Sequence, residues 1–327
     1  MTAASVPVRA ERVEAPYEGR TALLVHGGAW AIPDDAVEAH RSGIEHAVAK
    51  GRALLRHGRP ALDVVTDVVA FLEADPTFDA GCGARLDRDG RAQLDAGLMD
   101  GTTLAWGAVA NVRRLAHPIR VAGMLLHHDG QARLLVAEGA ERFAAERGME
   151  LIDNEALITE AEQARFEQLH ADHTRFHTSR EFSGLEADPH GTVGCIALDQ
   201  AGHLAAATST GGASYTHPGR VGDSPLVGCG YYATAQAAAS ATGWGEAIAA
   251  VLLCGRTVDT VASGTSPERA AAERLQHMAA SITNPQGEPA TGGLITLDAS
   301  GRGGVAYTTP RMARGSWAEG GAIRVAV

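Results

Sequence analysis

The sequence predicts an α+β protein in which antiparallel sheets are layered against helices. Three observations carry that prediction. Strand-like and helix-like segments come in runs, without the regular βα alternation of a doubly wound parallel sheet. Two strand pairs, over 192–210 and 292–309, are joined by links short enough for hairpins. The chain is 327 residues long and 45% hydrophobic, enough to bury a large core. With 39 glycines and few aromatic residues, that core packs by close backbone approach, with few large anchors.

Taken in order, residues 1–20 read as a short flexible tail, because charges stand where a signal peptide needs an apolar stretch. Residues 21–327 read as one domain. "TALLVHGGAW" (21–30) reads as a buried strand running into a glycine turn. A long helix follows from the N-cap candidate Asp34 to about His57. Pro60 precedes a second helix, in which Leu62, Val65, Val69 and Leu72 form an apolar stripe. Short strands are expected over Ala92–Met99 and Thr103–Val112, with a turn at Asp89-Gly90. Helices resume in "HPIRVAGMLLHHD" and "GAERFAAERG". From about 159 to 191 the chain turns polar and reads as a helix end followed by an exposed linker. Two strands, a loop over 213–226, a helix near "GWGEAIAAVLL", another from Pro267 and a last hairpin complete the chain.

Composition excludes several function classes. The formal net charge of -11 repels phosphate backbones, so no nucleic-acid partner is expected. The longest uncharged run, 224–245, is too weakly apolar to span a membrane. Cys82, Cys195, Cys229 and Cys254 have no zinc-ligand spacing and do not form a disulfide scaffold. A cytoplasmic protein with reduced cysteines is expected.

The chemistry is concentrated in "HGTVGCIALDQAGHLAAATST". Gln200-Ala201-Gly202 forms a three-residue hairpin loop whose last residue needs positive φ, which Gly202 supplies. That register sets Asp199 against His203 and Thr192 against Thr210, with Cβ atoms about 4.5–5.5 Å apart. A threonine pair of this kind is also an ordinary way to stabilise a sheet. Gly191 favours a chemical reading. A Gly-Thr bond between linker and strand suits self-cleavage, because the Thr192 hydroxyl can attack the unobstructed Gly191 carbonyl. The α-amine so released has a pKa of about 7.7–8.0 and can act as a base at neutral pH. One residue then supplies both nucleophile and base.

These residues, with "PGRVGDSPLVGCGYYA", closely resemble the isoaspartyl peptidase/plant-type L-asparaginase family of N-terminal-nucleophile hydrolases. "LLVHGGAW", "ALDVV", "FDAGCGA", "LDAGLMDG" and "GAVANVRRLAHPIRVA" resemble further family segments, in family order, from about Ala22 onward. The resemblance implies a four-layer αββα sandwich. It also implies self-cleavage into an α subunit (1–191) and a β subunit (192–327), assembled as a dimer of αβ pairs. The implied substrates are small molecules, L-asparagine and β-aspartyl dipeptides, and no organic cofactor is implied.

Carried over by motif, Thr192 is the nucleophile and Thr210 orients it. Arg220 binds the substrate α-carboxylate, for which a planar guanidinium is suited. Asp223 holds the α-ammonium, and the Gly245 carbonyl touches the same amine. Thr242 and Gly243 form the oxyanion hole, a hydroxyl and a backbone N–H. The backbone carbonyls of Leu72, Glu73, Asp75, Phe78, Ala80 and Cys82 are implied ligands of a structural sodium ion, a hard cation suited to oxygen donors. "HGG" also occurs in oxyanion holes of α/β-hydrolases, but this chain has no GxSxG serine, so His26 reads as structural.

The chain departs from the pattern at Asp79, Thr102, Tyr215-Thr216 and Thr308. Relatives commonly have Asn at 79, 102 and 308, and Asn-Lys at 215–216. A carboxylate at Asp79, near the nucleophile and counted among the substrate-binding positions, opposes an oxyanion unless protonated or turned away. Two other readings stand beside the leading one. The first is a glycosylasparaginase-like or protein-cleaving relative. The second is an uncleaved, inactive member with a binding or structural role.

Overall fold

The computed structural model describes residues 6–13, 21–128, 130, 132–171 and 191–327. The fold is α+β, with helices and two sheets. In chain order the elements begin with β1 (Arg9–Val13), β2 (Ala22–Trp30), α1 (Val37–Arg56) and α2 (Ala61–Glu73). Next come β3 (Leu94–Asp100), β4 (Trp106–Val112), α3 (Pro118–Leu126), β5 (Leu134–Val136), α4 (Ala137–Ala145) and α5 (Glu160–Ala171). The hairpin follows as β6 (Val193–Leu198) and β7 (Leu204–Thr210), then β8 (Tyr231–Ala233) and β9 (Ala237–Gly243). The remainder is α6 (Gly245–Val251), α7 (Leu253–Ala262), α8 (Pro267–Ser281), β10 (Gly292–Asp298), β11 (Gly303–Tyr307), β12 (Arg311–Ala318) and β13 (Arg324–Ala326). One sheet runs β13-β12-β2-β6-β7-β3-β4-β5, and the other runs β1-β11-β10-β9-β8. All ladders are antiparallel except β4 with β5.

Period-2 alternation sorts the strands' side chains between distinct cores. On β2 and β6, Leu23, Val25, Val193 and Cys195 join a cluster shared with α1 and α2. Their alternates, Leu24, Ile196 and Leu198, join a second cluster that also contains Ile295 and Leu297 of β10. A third cluster joins Ala239 and Ala241 of β9 to α7 and α8. Close approach holds the two sheets together. The Tyr231 ring sits where a Cβ on Gly97 would be only 2.2 Å from it. A side chain at position 97 would therefore force the sheets apart.

The parity of β6 and β7 decides which face carries the threonines. Thr208 and Thr210 lie on the same face as Ala206 and Leu204, which joins the cluster shared by both sheets. The hairpin register is the expected one, with Val193 opposite Ser209 and Leu198 opposite Leu204. Gly202 has φ +82° and closes the turn.

Four expectations are corrected. Gly27 and Gly28 do not form a turn; β2 continues through them to Trp30, with a register shift opposite Met312 and Arg314. The extra residue is absorbed at Gly28, with φ +101°. The tail expected over 1–20 contains β1, an edge strand paired with β11. Its anchors are polar: Arg9 donates to the Thr309 and Pro310 carbonyls, and Glu11 pairs with Arg314. No apolar periodicity announces such a strand. The linker expected from about 159 begins with α5, docked through a buried Arg85–Glu162 ion pair; residues 172–190 lie outside the described residues. Strands β5, β8, β9, β12 and β13 were not expected. In β9 the cause is composition: "AAASATG" is built of small residues of low β propensity, favoured here by close packing.

Candidate active site

Thr192 immediately precedes β6, and Thr210 ends β7. The Thr192 hydroxyl donates to Thr210 Oγ1 at 3.0 Å, and the Gly212 N–H donates to the same oxygen at 3.1 Å. Thr210 Oγ1 thus accepts two hydrogen bonds and fixes the direction of the Thr192 Cβ–Oγ bond.

The Gly191–Thr192 peptide lies against the Gly27–Gly28 irregularity. A Cβ on Gly191 would lie 2.5 Å from the Gly27 carbonyl oxygen. The "HGG" motif therefore shapes the seat of this bond. His26 holds its other side: Nδ1 is 3.0 Å from the Thr192 carbonyl and Nε2 is 2.9 Å from Ser240 Oγ. A carbonyl only accepts, so Nδ1 carries the proton and Nε2 accepts from Ser240. Burial lowers the His26 pKa to about 3, against the opposing pull of the Thr192 carbonyl. His26 is thus a neutral positioning group at physiological pH. Thr208 continues the chain: with the Ser240 proton committed to His26, the Thr208 hydroxyl donates to Ser240 Oγ at 2.6 Å, and the Gly230 carbonyl lies 3.0 Å from the same Thr208 oxygen.

Thr242 and Gly243 end β9, opposite Gly293 and Gly292 of β10. Thr242 shares the face of Ser240, two residues back, and is buried. Gly243 has φ +133°, and a Cβ there would lie 2.4 Å from Gly292 Cα, so only glycine fits. The chain then turns into α6 at Gly245. A Cβ on Gly245 would lie 2.8 Å from Arg220 Nη2 and 2.9 Å from Asp223 Oδ1. A cation and an anion therefore flank an open backbone position.

The Asp223 carboxyl is buried, and its Oδ2 has no hydrogen-bond partner among the described residues. Burial raises its pKa to about 7, although the Arg220 charge opposes the shift. Arg220 is mostly buried, and its pKa is raised: desolvation is outweighed by Glu246, Asp95 and Asp223 together. Asp95 stands opposite Thr210 in the β3–β7 ladder and accepts the Gly222 N–H at 3.1 Å. One buried carboxylate thereby ties the arginine loop to the strand paired with the end of β7.

Asp79 is buried beside the same strand end. Its carbonyl accepts the Gly211 N–H at 2.9 Å, and Oδ1 accepts the Arg85 N–H at 3.1 Å. Its Oδ2 is unpartnered among the described residues. Burial raises the Asp79 pKa to about 7, with Arg85 opposing and Glu162 adding to the rise. Upstream, the Glu73 carboxylate accepts from the Ser209 hydroxyl at 2.7 Å and the Ile119 N–H at 3.1 Å.

Of the six carbonyl positions named for a cation, Leu72 and Glu73 end α2 and the other four lie on the tight loop that follows. Those of Leu72, Glu73, Asp75 and Phe78 each accept a backbone N–H. Gly81 and Gly83 sit over the Glu73 and Phe78 oxygens, where a Cβ would be 2.3 and 2.9 Å away. With glycines over these oxygens, the segment fits a hard cation, since a carbonyl keeps a second lone pair. Among the described residues, no cluster of His, Cys, Asp or Glu could hold a metal ion.

The structure thus brings Thr192, Thr210, Gly191 and Asp79 to one strand end, and Arg220, Asp223 and Gly245 to the adjoining loop. Sequence reasoning missed Ser240, Thr208, Asp95, Glu73's carboxylate and Glu246. Thr208 was within reach, since it shares the face of Thr210 two residues on. The others act across 26 or more residues of sequence, and no local pattern points to them.

A hydroxyl oriented by a second hydroxyl, beside a cation–anion pair, can carry acyl transfer on a compound bearing a free amino-acid head group. A family model described as asparaginase matches residues 19–327. The isoaspartyl peptidase/L-asparaginase of Danio rerio is 36% identical over 297 residues, covering 90% of this chain and 91% of that protein. The isoaspartyl peptidase of Escherichia coli is 38% identical over 317 residues, covering 93% and 94%. The plant-type L-asparaginase of Pyrobaculum calidifontis is 38% identical over 309 residues, covering 93% and 99%.

Proposed function

Because the chain belongs to the asparaginase family, we propose that it is a self-processing threonine amidohydrolase. Its substrates are L-asparagine and β-aspartyl (isoaspartyl) dipeptides, from which it releases L-aspartate. The observation that carries this reading is the 3.0 Å contact between the Thr192 and Thr210 hydroxyls, one residue after Gly191.

In processing, Thr192 Oγ attacks the Gly191 carbonyl carbon, the C–N bond breaks, and the acyl group moves from nitrogen to oxygen. Water hydrolyses this ester, leaving the Gly191 carboxylate and a free Thr192 α-amine. In turnover, Arg220 holds the substrate α-carboxylate while Asp223 and the Gly245 carbonyl hold the α-ammonium. Thr192 Oγ attacks the side-chain amide carbon, and its hydroxyl proton passes to the α-amine. Thr242 Oγ1 and the Gly243 N–H stabilise the oxyanion. The amine leaves with that proton as ammonia or an amino acid, and water hydrolyses the aspartyl ester.

Clusters shared by both sheets, and by each sheet with helices, support an αββα four-layer reading. The carbonyls of Leu72, Glu73, Asp75, Phe78, Ala80 and Cys82 would hold a sodium ion that stiffens the loop around Asp79. Assembly as a dimer of αβ pairs belongs to the same proposal. So does a cytoplasmic location, in keeping with four free cysteines. Among the described residues no helix is long and apolar enough to cross a membrane.

Intact mass under denaturing conditions tests the processing: two fragments meeting at Gly191/Thr192 are expected, and a wild-type chain that stays single sinks it. Side-by-side assay of asparagine, β-aspartyl dipeptides and glycosylasparagine tests the substrate, and turnover of glycosylasparagine alone would replace this reading.

A further inference from the structure

The guanidinium of Arg220 is paired with Glu246. Its Nε donates to Glu246 Oε1 at 2.9 Å, and its Nη2 donates to Glu246 Oε2 at 3.0 Å. Such a planar two-point contact uses one edge of the fork and fixes the rotation of the whole group. Among the described residues Nη1 makes no hydrogen bond, and Nη2 keeps a second N–H. The free edge is walled by glycines. A Cβ on Gly222 would lie 2.9 Å from Nη1, one on Gly212 3.9 Å from Nη1, and one on Gly245 2.8 Å from Nη2. Gly212 is also the residue whose N–H binds Thr210 Oγ1. The free edge therefore faces the strand end that carries the nucleophile, while the occupied edge faces α6.

We infer that Glu246 is a positioning residue: it occupies the Nε/Nη2 edge of Arg220 and so presents the Nη1/Nη2 edge to the substrate α-carboxylate. The inference rests on the role proposed above for Arg220. Of the other acids near Arg220, Asp95 accepts the Gly222 and Asn111 N–H groups, and Asp223 acts on the guanidinium by charge without a hydrogen bond to it. Glu246 alone makes a two-point contact. Its side chain is 46% exposed, against 14% for Arg220, so truncating it opens no core cavity. Without Glu246 the long arginine side chain samples several rotamers. If the competent one falls to about a tenth of the population, apparent affinity falls about tenfold.

The test compares Glu246→Ala, Glu246→Gln, Arg220→Ala and the Glu246→Ala/Arg220→Ala double variant on asparagine and on 3-aminopropanamide. The latter keeps the amine and the amide but lacks the α-carboxylate. Glu246→Ala should raise KM for asparagine about tenfold with kcat within about twofold. It should leave kcat/KM for 3-aminopropanamide unchanged and add nothing to Arg220→Ala. Calorimetric binding of L-aspartate to the processed protein should weaken by the same factor, a readout independent of turnover. An unchanged KM and aspartate affinity overturns the inference, as does an equal loss on both compounds. Failure of both Glu246 variants to process also overturns it, because Glu246 is then part of the fold. Wild-type protein that turns over neither asparagine nor a β-aspartyl dipeptide defeats the functional proposal, and the aspartate titration still reads the clamp.

Discussion

At the end of the β6–β7 hairpin, Thr192 and Thr210 are neutral hydroxyls held by strand register and a backbone N–H. In the adjoining loop, Arg220, Asp223 and Glu246 are charges held by one another and by Asp95. Burying a hydroxyl with a partner costs little, while burying a carboxylate with an empty oxygen costs several kcal/mol. The hairpin end is therefore stable as built, whereas the loop is held in a state that improves when a cationic group arrives. Asp79 resembles the loop more than the hairpin, with one buried oxygen unpartnered. On the proposed reading, the site separates its reacting hydroxyls, which are held rigid, from its recognition groups, of which the Asp223 carboxyl is left with an unpartnered oxygen.

The comparison can be broken most sharply at its neutral end. Thr192→Ala should leave a single chain by mass and lower kcat/KM by about 10⁴-fold or more, since nucleophile and base vanish together. Retained activity would place the nucleophile elsewhere.

At the charged end, Asp223→Asn keeps the shape and removes the charge. It should lower kcat/KM for asparagine about 100-fold, the scale for losing one partner of a buried charge pair. Because burial lifts Asp223 to about 7, its carboxylate is present above that pH and protonated below it. Substrate affinity should therefore fall as pH drops through about 7, with the effect in KM. The variant should lack that limb, while the limb of kcat follows the Thr192 amine.

A third prediction concerns stability. Asp79 shifts from 3.8 to about 7, so between those values the native state binds more protons than the unfolded chain, and stability falls as pH rises. Asp79→Asn should remove that slope. It should be about 2 kcal/mol more stable than wild type at pH 8 and no more stable at pH 4, the amide's unpaired N–H₂ offsetting the rest. Denaturant titrations at the two pH values decide this, and parallel curves would put the buried charge elsewhere. If kcat and KM are also unchanged, Asp79 does not set the rate.

The smallest effect tests the backbone seat. Gly191→Ala places a Cβ 2.5 Å from the Gly27 oxygen, and should slow processing about tenfold by overpacking. Turnover per processed molecule should match wild type. Processing at the wild-type rate would show that the Gly27–Gly28 irregularity gives way.

The same division governs what could be read without coordinates. The Thr192–Thr210 pairing was legible because a three-residue loop with a terminal glycine fixes register, and register fixes the face. Strands β8 and β9 were not, because an alanine-rich strand has no local signature until another sheet covers it. β1 escaped, and α5 was read as no more than a helix end, because each is anchored by ion pairs across more than 70 residues of sequence.

The sequence by itself determined the hairpin, the apposition of Thr192 and Thr210 and the placing of Arg220 and Asp223 three residues apart on one loop, since each depends on neighbours within about twenty residues. Tertiary structure decided the rest. It set His26 and Ser240 beneath Thr192, tied Asp95 to the arginine loop, turned Arg220 with Glu246 and left Asp79 and Asp223 buried with open oxygens. Desolvation and charge pairing depend on what surrounds a group in space, and that is known only once distant segments have packed.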